Sequence, residues 1–311
     1  MKIGVVGNCT ALAIGLSLMQ LLEDSTVYAL SANDWKRKGK LDEAVDLLKS
    51  CDIVFLHILT DAFGELEWAR FQKAHSRAYA LPSIVFTGFH PDCIYINAKS
   101  GSFVGSPISP YSSVIGSFVG SPIGPYSSAI AAAVYSLGGD AETAVRLFNP
   151  DAFERLGYFA EFEKAKGYLF KTFAQCGLDA ASEWEGWMRE APFMHTINHP
   201  RPIIAASVAK QLAKKAGLIR SNAPSPVAVL DTLAASVIWP VYPEIGAALG
   251  IHGDYLFKKM SAPLDLSDGV GPFIRLKPFV EQSFDLFEKF NKSCFDEPSV
   301  KRTADVVREM M

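Results

Sequence analysis

Nowhere does this chain run for about 18 apolar residues without interruption, so no segment reads as a membrane span. Charge of one sign is missing too: 30 Lys and Arg face 33 Asp and Glu, and there is no long basic run, which argues against a nucleic-acid partner. The five cysteines, Cys9, Cys51, Cys93, Cys176 and Cys294, are odd in number, widely spaced and without a CxxC pair. That excludes a disulfide framework and a cysteine metal site and points to free thiols in a reducing compartment. The histidines form neither HxH nor HExxH, so no metal is expected. A dinucleotide fingerprint is also lacking. Gly4, Gly7 and Gly15 do not fit G-x-G-x-x-G, and no acidic residue closes the second predicted strand. The apolar opening imitates a signal peptide, but Asn8, Cys9, Thr10 and Gln20 interrupt it and no small-residue cleavage site follows. A cytoplasmic location is the expectation.

What is present is a globular composition. With 311 residues, 49% hydrophobic and 20% charged, a sizeable core is available. The first 90 residues alternate short β-branched runs with helix-like stretches. Strands are predicted over 2–6, 26–30, 52–56 and 83–87, and helices over 10–22, 41–49 and 63–75. From about residue 127 the period is helical, with stops at Gly138-Gly139, Gly177 and Gly217. The fold class expected is α/β: a small Rossmann-like parallel sheet at the N-terminus followed by a largely helical C-terminal half. The domains read as 1–130, a ligand-binding α/β domain, and 131–311, a helical domain. Residues 101–130 carry a tandem duplication, GSFVGSPISPYSSVI then GSFVGSPIGPYSSAI, differing only at Ser109/Gly124 and Val114/Ala129. It is too short for a solenoid and reads as an insertion in a surface loop. The second copy, running into a helix near Ser127, reads as the integrated one.

Ligands in open α/β sheets collect at the carboxyl ends of the strands, which directs attention to Gly7-Asn8-Cys9-Thr10, His57 to Asp61 and Gly88 to Asp92. Cys9 falls where the first strand turns into the first helix. The positive helix end would favour a thiolate there and supply N–H donors. A buried structural cysteine is the competing reading. His90, flanked by Pro91 and followed by Asp92, sits on a rigid turn with a carboxylate to hold its tautomer. His199 repeats the His-Pro arrangement before a helix with Pro202 near its first turn. Position does not choose between the two histidines. His57, on the strand itself, reads as a core-edge residue. Lys210, Lys214, Lys215 and Arg220 read as a solvated helix face, with anion binding as the alternative.

VVGNCTA, SCDIVFLHIL, PSIVFTGFHPDCIYIN, PYSSAIAAAVYSLG and INHPRPIIAASVAKQLAKKAGL together resemble the WcbI family of capsular polysaccharide biosynthesis enzymes, from residue 1 to about 220. The resemblance implies an acetyltransferase using coenzyme A or acetyl-coenzyme A. Its partner would be a sugar or polysaccharide acceptor, in association with capsule assembly machinery. Under it, Cys9, His90 and His199 become catalytic candidates, and Gly7, Asn8, Thr10, Tyr126, Ser127, Ser128 and Arg201 become cofactor-binding candidates. Thr10 departs from the Gly-Asn-Cys-Gln usual in that family. Rivals are an SGNH-like esterase with Cys9 in place of serine, and a non-catalytic coenzyme A- or nucleotide-binding subunit.

Overall fold

The computed structural model describes residues 1–98, 118–220, 222–226, 230–260 and 271–311. The first copy of the duplication, 101–115, lies outside them. The chain groups into two compact units interleaved in sequence, where the sequence reading draws one boundary at 130. One comprises Met1–Val85, Lys166–Met194 and Asn198–Ala234, the other Phe86–Ala165, His195–Ile197 and Ala235–Met311.

The first unit is built on four parallel strands, β1 (Lys2–Gly7), β2 (Thr26–Ser31), β3 (Ile53–His57) and β4 (Ala78–Leu81), in the order β2-β1-β3-β4. Pairing is in step along β1, with Val6 opposite both Leu30 and Leu56. Side chains alternate between the two faces. Val6, Leu30, Val54 and Leu56 join a core with Ala44, Val45, Leu48 and Phe71. Ile3, Val5, Ile53 and Phe55 are likewise buried. Burial on both faces explains why the strands read as continuous apolar runs. Gly4 lets the helix Leu41–Lys49 close on the sheet, because a Cβ there would stand 2.5 Å from Leu48 Cδ2. Helix α1 (Ala11–Leu21) packs against the helix Pro202–Lys215, and both bury small residues, Ala11, Ala13 and Gly15 on one and Ala205, Ala206 and Ala209 on the other.

The second unit is mostly helical, with helices at Ala129–Ser136, Ala141–Arg146, Pro150–Arg155, Pro243–Leu249, Leu276–Phe287 and Pro298–Val307. Two short antiparallel pairs join Cys93–Ile94 to Ser127–Ser128 and Leu256–Lys258 to Phe273–Arg275. Its core is aromatic: Trp239, Tyr242, Phe257 and Phe279 are buried, and Phe257 stacks on Phe279 at 4.0 Å. The second duplication copy is integrated as expected. Val119, Ile123 and Tyr126 are buried, and Ser121 to Gly124 form a tight turn. A Cβ at Gly120 would lie 2.3 Å from the Gly124 carbonyl oxygen, so the turn requires that glycine.

One strand falls earlier than its sequence suggests. The fourth strand is Ala78–Leu81, paired with Val54 to His57, and the β-branched stretch 83–87 is irregular. Pro82, with no N–H to offer the ladder, ends the strand. The predicted stops hold: Gly138, Gly177 and Gly217 all have positive φ.

Candidate functional site

In the order β2-β1-β3-β4 the chain leaves β1 toward one side and returns on the other, so the topological switch point lies between β1 and β3. Their carboxyl ends flank the crevice where such sheets bind ligands. Gly7 to Thr10 follow β1, and β3 ends on His57.

The turn after β1 is held by its own polar groups. Asn8 Oδ1 accepts from the Thr10 N–H at 3.0 Å and the Thr10 hydroxyl at 2.8 Å, and Ala11 N–H donates to the Asn8 carbonyl at 3.2 Å. Thr10 is buried and, with its hydroxyl committed to Asn8, gives α1 no side-chain cap. The helix therefore presents an uncapped N-terminus beside Cys9. Cys9 is exposed, whereas Cys51, Cys93, Cys176 and Cys294 are buried. The expected thiolate is not favoured in the free protein. The mass of protein around the turn pushes the Cys9 thiol up to about 11; its own backbone N–H lowers it, and the Asp34 charge raises it further. A base is needed to draw its proton.

His57, read from sequence as a core-edge residue, is the side chain the structure brings to this turn. Its imidazole lies against Gly7: a Cβ there would meet Nε2 at 3.1 Å, Cε1 at 3.2 Å and Cδ2 at 3.3 Å. Three nearly equal distances mean that the ring's face, not its Nε2 corner, covers the glycine. His57 is 7% exposed and its Nε2 is buried without a hydrogen-bond partner. Burial drives its pKa down to about 4, against a smaller opposing effect of the Pro82 backbone, so the ring is neutral at pH 7. The sequence signal was available: a histidine ending the strand next to the switch point.

His90 is buried in the second unit, with Nδ1 3.3 Å from the Pro240 carbonyl oxygen. Asp92 does not hold its tautomer. It accepts from Tyr158 Oη at 2.9 Å, Tyr242 Oη at 2.8 Å and Ile130 N at 2.9 Å, tying the helix Ala129–Ser136 into the core. Because β4 ends at Leu81, His90 does not directly follow the fourth strand either. Tyr126, Ser127 and Ser128 are interior residues of the second unit with internal partners. Thr196 Oγ1 donates to Tyr126 Oη at 2.9 Å, Ser127 Oγ donates to the Val119 and Gly120 carbonyls, and Ser128 Oγ accepts from Ala131 N at 3.1 Å. His199, half-buried, begins a two-residue strand before the helix Pro202–Lys215. Arg201 Nη1 donates to the Glu190 and Pro192 carbonyls at 3.3 and 3.2 Å. Among the described residues no group of three or more His, Cys, Asp or Glu side chains converges as a metal site, and no helix is long and apolar enough to cross a membrane.

A family model for the polysaccharide biosynthesis enzyme WcbI matches residues 2–221. The chain belongs to the WcbI family. A solved WcbI structure, described as a novel polysaccharide biosynthesis enzyme in native form without a disulfide bond between coenzyme A and one of its cysteines, is similar with a TM-score of 0.67. That alignment covers 99% of this chain and 97% of the other at 14% identity, which establishes the fold. Comparison with curated proteins gives no match. The resemblance expected on sequence grounds, and the α/β class with it, are thereby borne out.

Proposed function

We propose that this WcbI-family chain is a coenzyme A-dependent acyltransferase that O-acetylates a sugar of a capsular polysaccharide or its precursor, with the β1–α1 turn as its thioester site. The observation that carries the reading is Cys9: an exposed thiol at the switch point, beside an uncapped helix N-terminus. That donor set fits an acyl thioester, whose carbonyl needs N–H donors and whose sulfur lies near a thiol in a readily reversible exchange. The WcbI structure whose description names coenzyme A and a cysteine supports it.

Within this reading Gly7 leaves room for the His57 ring, Asn8 and Thr10 fix the turn, and the N-terminus of α1 favours developing negative charge at the acyl oxygen. Cys9 Sγ bonds to the acyl carbon as the C–S bond to coenzyme A breaks, the Cys9 proton going to the departing coenzyme A sulfur, and the acyl group then passes to the acceptor hydroxyl. Acetyl-coenzyme A, when bound, supplies the acyl group at thioester energy. Tyr126, Ser127, Ser128 and Arg201 are assigned structural roles. The test is transfer of labelled acetyl from acetyl-coenzyme A to capsule sugars. Turnover dependent on both substrates supports the reading. Hydrolysis of a simple acetyl ester without coenzyme A would favour an SGNH-like esterase instead.

A further inference from the structure

Among the described residues of the first unit, one cavity lies away from the site and another touches it. The larger, about 420 Å³, is lined by Glu183, Trp187, Ser207 and Ser225; two of its polar side chains are paired, Ser207 Oγ donating to Glu183 Oε2 at 2.6 Å and Lys210 Nζ donating to Ser225 Oγ at 3.2 Å, while Trp187 Nε1 has no partner. The other, about 390 Å³, opens at the carboxyl ends of β3 and β4 and includes His57, Ile58, Ser83, Tyr168 and Lys171 in its wall. Two of the large apolar side chains the protein leaves exposed, Ile58 at 53% and Tyr168 at 56%, flank it. An exposed aromatic face beside an aliphatic one, with hydroxyl and ammonium groups nearby, suits the C–H and O–H surfaces of a sugar.

His57 is common to this cavity and the end of β1. It lines the cavity wall while its ring face covers Gly7, two residues before the thiol. The Pro82 backbone, having no N–H, can engage the ring only through its carbonyl, so with the ring proton on Nδ1 the buried Nε2 is an acceptor without a partner. A buried nitrogen acceptor without a partner is costly to the fold. Such groups persist in native folds where a ligand or a reaction uses them.

We infer that His57 is the general base of the transfer step and that the cavity at the ends of β3 and β4 seats the acceptor hydroxyl; this rests on the acyltransferase reading. The acceptor O–H bond breaks and its proton passes to Nε2. A C–O ester bond forms as the thioester C–S bond breaks. The departing sulfur takes the proton back from the His57 imidazolium, which restores the neutral ring. Pro82 stabilises the transient cation through Nδ1–H. The other titratable groups sharing the cavity are Tyr168, Lys171 and Cys176, with Asp34 on the Cys9 side.

The decisive variant is His57→Asn, whose side-chain amide can still donate to the Pro82 carbonyl but has nothing in place of Nε2. Acetyl transfer should fall at least about 100-fold in kcat while coenzyme A affinity, measured by calorimetry, stays within about threefold. His90→Gln and His199→Gln should each stay within about fivefold of wild type. The wild-type kcat profile should carry an acid limb with an apparent pKa below the ordinary histidine value of 6.5, and this profile decides the matter alone where His57→Asn fails to fold. A limb at or above 6.5, or a folded His57→Asn with wild-type kcat, would overturn the assignment while leaving the acyltransferase reading intact. A wild-type protein that transfers no acetyl group to any capsule sugar would overturn the reading itself, and the base with it.

Discussion

Two buried polar centres, one in each unit, are treated in opposite ways. In the second unit the Asp92 carboxylate is fully enclosed, yet three donors reach it from Ile130, Tyr158 and Tyr242. In the first unit His57 is almost as enclosed and has an acceptor nitrogen with nothing to accept. Saturation of Asp92 is what structure requires, since each hydrogen bond offsets desolvation and pins a helix or an aromatic ring in place. Leaving Nε2 open serves no such end. The richer hydrogen-bond network belongs to the scaffold, while the deficit, at the end of β3 against Gly7, is where the proposed chemistry is placed.

The comparison is broken most forcefully by removing Asp92. Asp92→Ala leaves two tyrosine hydroxyls and a helix N–H without their acceptor, and should destabilise the protein by about 3–5 kcal/mol in urea unfolding. A loss below about 1 kcal/mol would show that the network is not structural.

Acid titration sharpens the contrast. His57 folds with a pKa of about 4 against an ordinary 6.5, so its contribution is fully present above 6.5 and is lost as pH falls toward 4. Asp92 folds with a pKa of about 6 against 3.8, raised chiefly by burial, so its contribution is present below 3.8 and is lost as pH rises through 6. Each effect is on the order of 3 kcal/mol. Relative to wild type, His57→Asn should therefore gain stability as pH falls from 7 to 4.5, and Asp92→Asn should gain as pH rises over the same range. Urea midpoints at both pH values check the two signs.

Cys9→Ser should lower acetyl transfer at least about 100-fold, or about 2.7 kcal/mol of transition-state stabilisation, while leaving coenzyme A affinity within about tenfold. Near wild-type turnover would mean direct transfer to the acceptor without a covalent stage. The smallest effect belongs to the duplication. Deleting Gly101 to Ile115 leaves the integrated copy with its own neighbours, and shortening the connection changes closure entropy by only about 0.6 kcal/mol per halving of length. The variant should melt within a few degrees of the parent and bind coenzyme A unchanged.

Much of this was legible in the residues themselves. β-branched runs separated by amphipathic stretches gave the α/β class and the first three strands, and Gly-Asn-Cys at the first turn pointed to the thiol. Two details are corrected for identifiable reasons, the fourth strand and the partner of Asp92. The run 83–87 has the composition of a strand, but Pro82 stops the ladder and Ala78–Leu81, a weaker β sequence, wins by pairing with β3. His90-Pro-Asp looked like a catalytic turn because spacing shows which groups are near in sequence and not which partners they choose, and Asp92 chooses tyrosines remote from it in the chain. His57 was passed over because burial of a strand-end histidine is ordinary. What sets it apart, an unpartnered nitrogen against Gly7, exists only in three dimensions.

The central claim is that coenzyme A binds at the β1–α1 turn, and Cys9 reports on that turn directly because the other four cysteines are buried. The measurement is the rate of Cys9 alkylation by iodoacetamide, followed by peptide mass spectrometry while coenzyme A is titrated and its binding recorded by calorimetry. Alkylation should slow in proportion to occupancy, with Cys51, Cys93, Cys176 and Cys294 unmodified throughout. Calorimetric binding of coenzyme A with an unchanged rate at Cys9 would contradict the account.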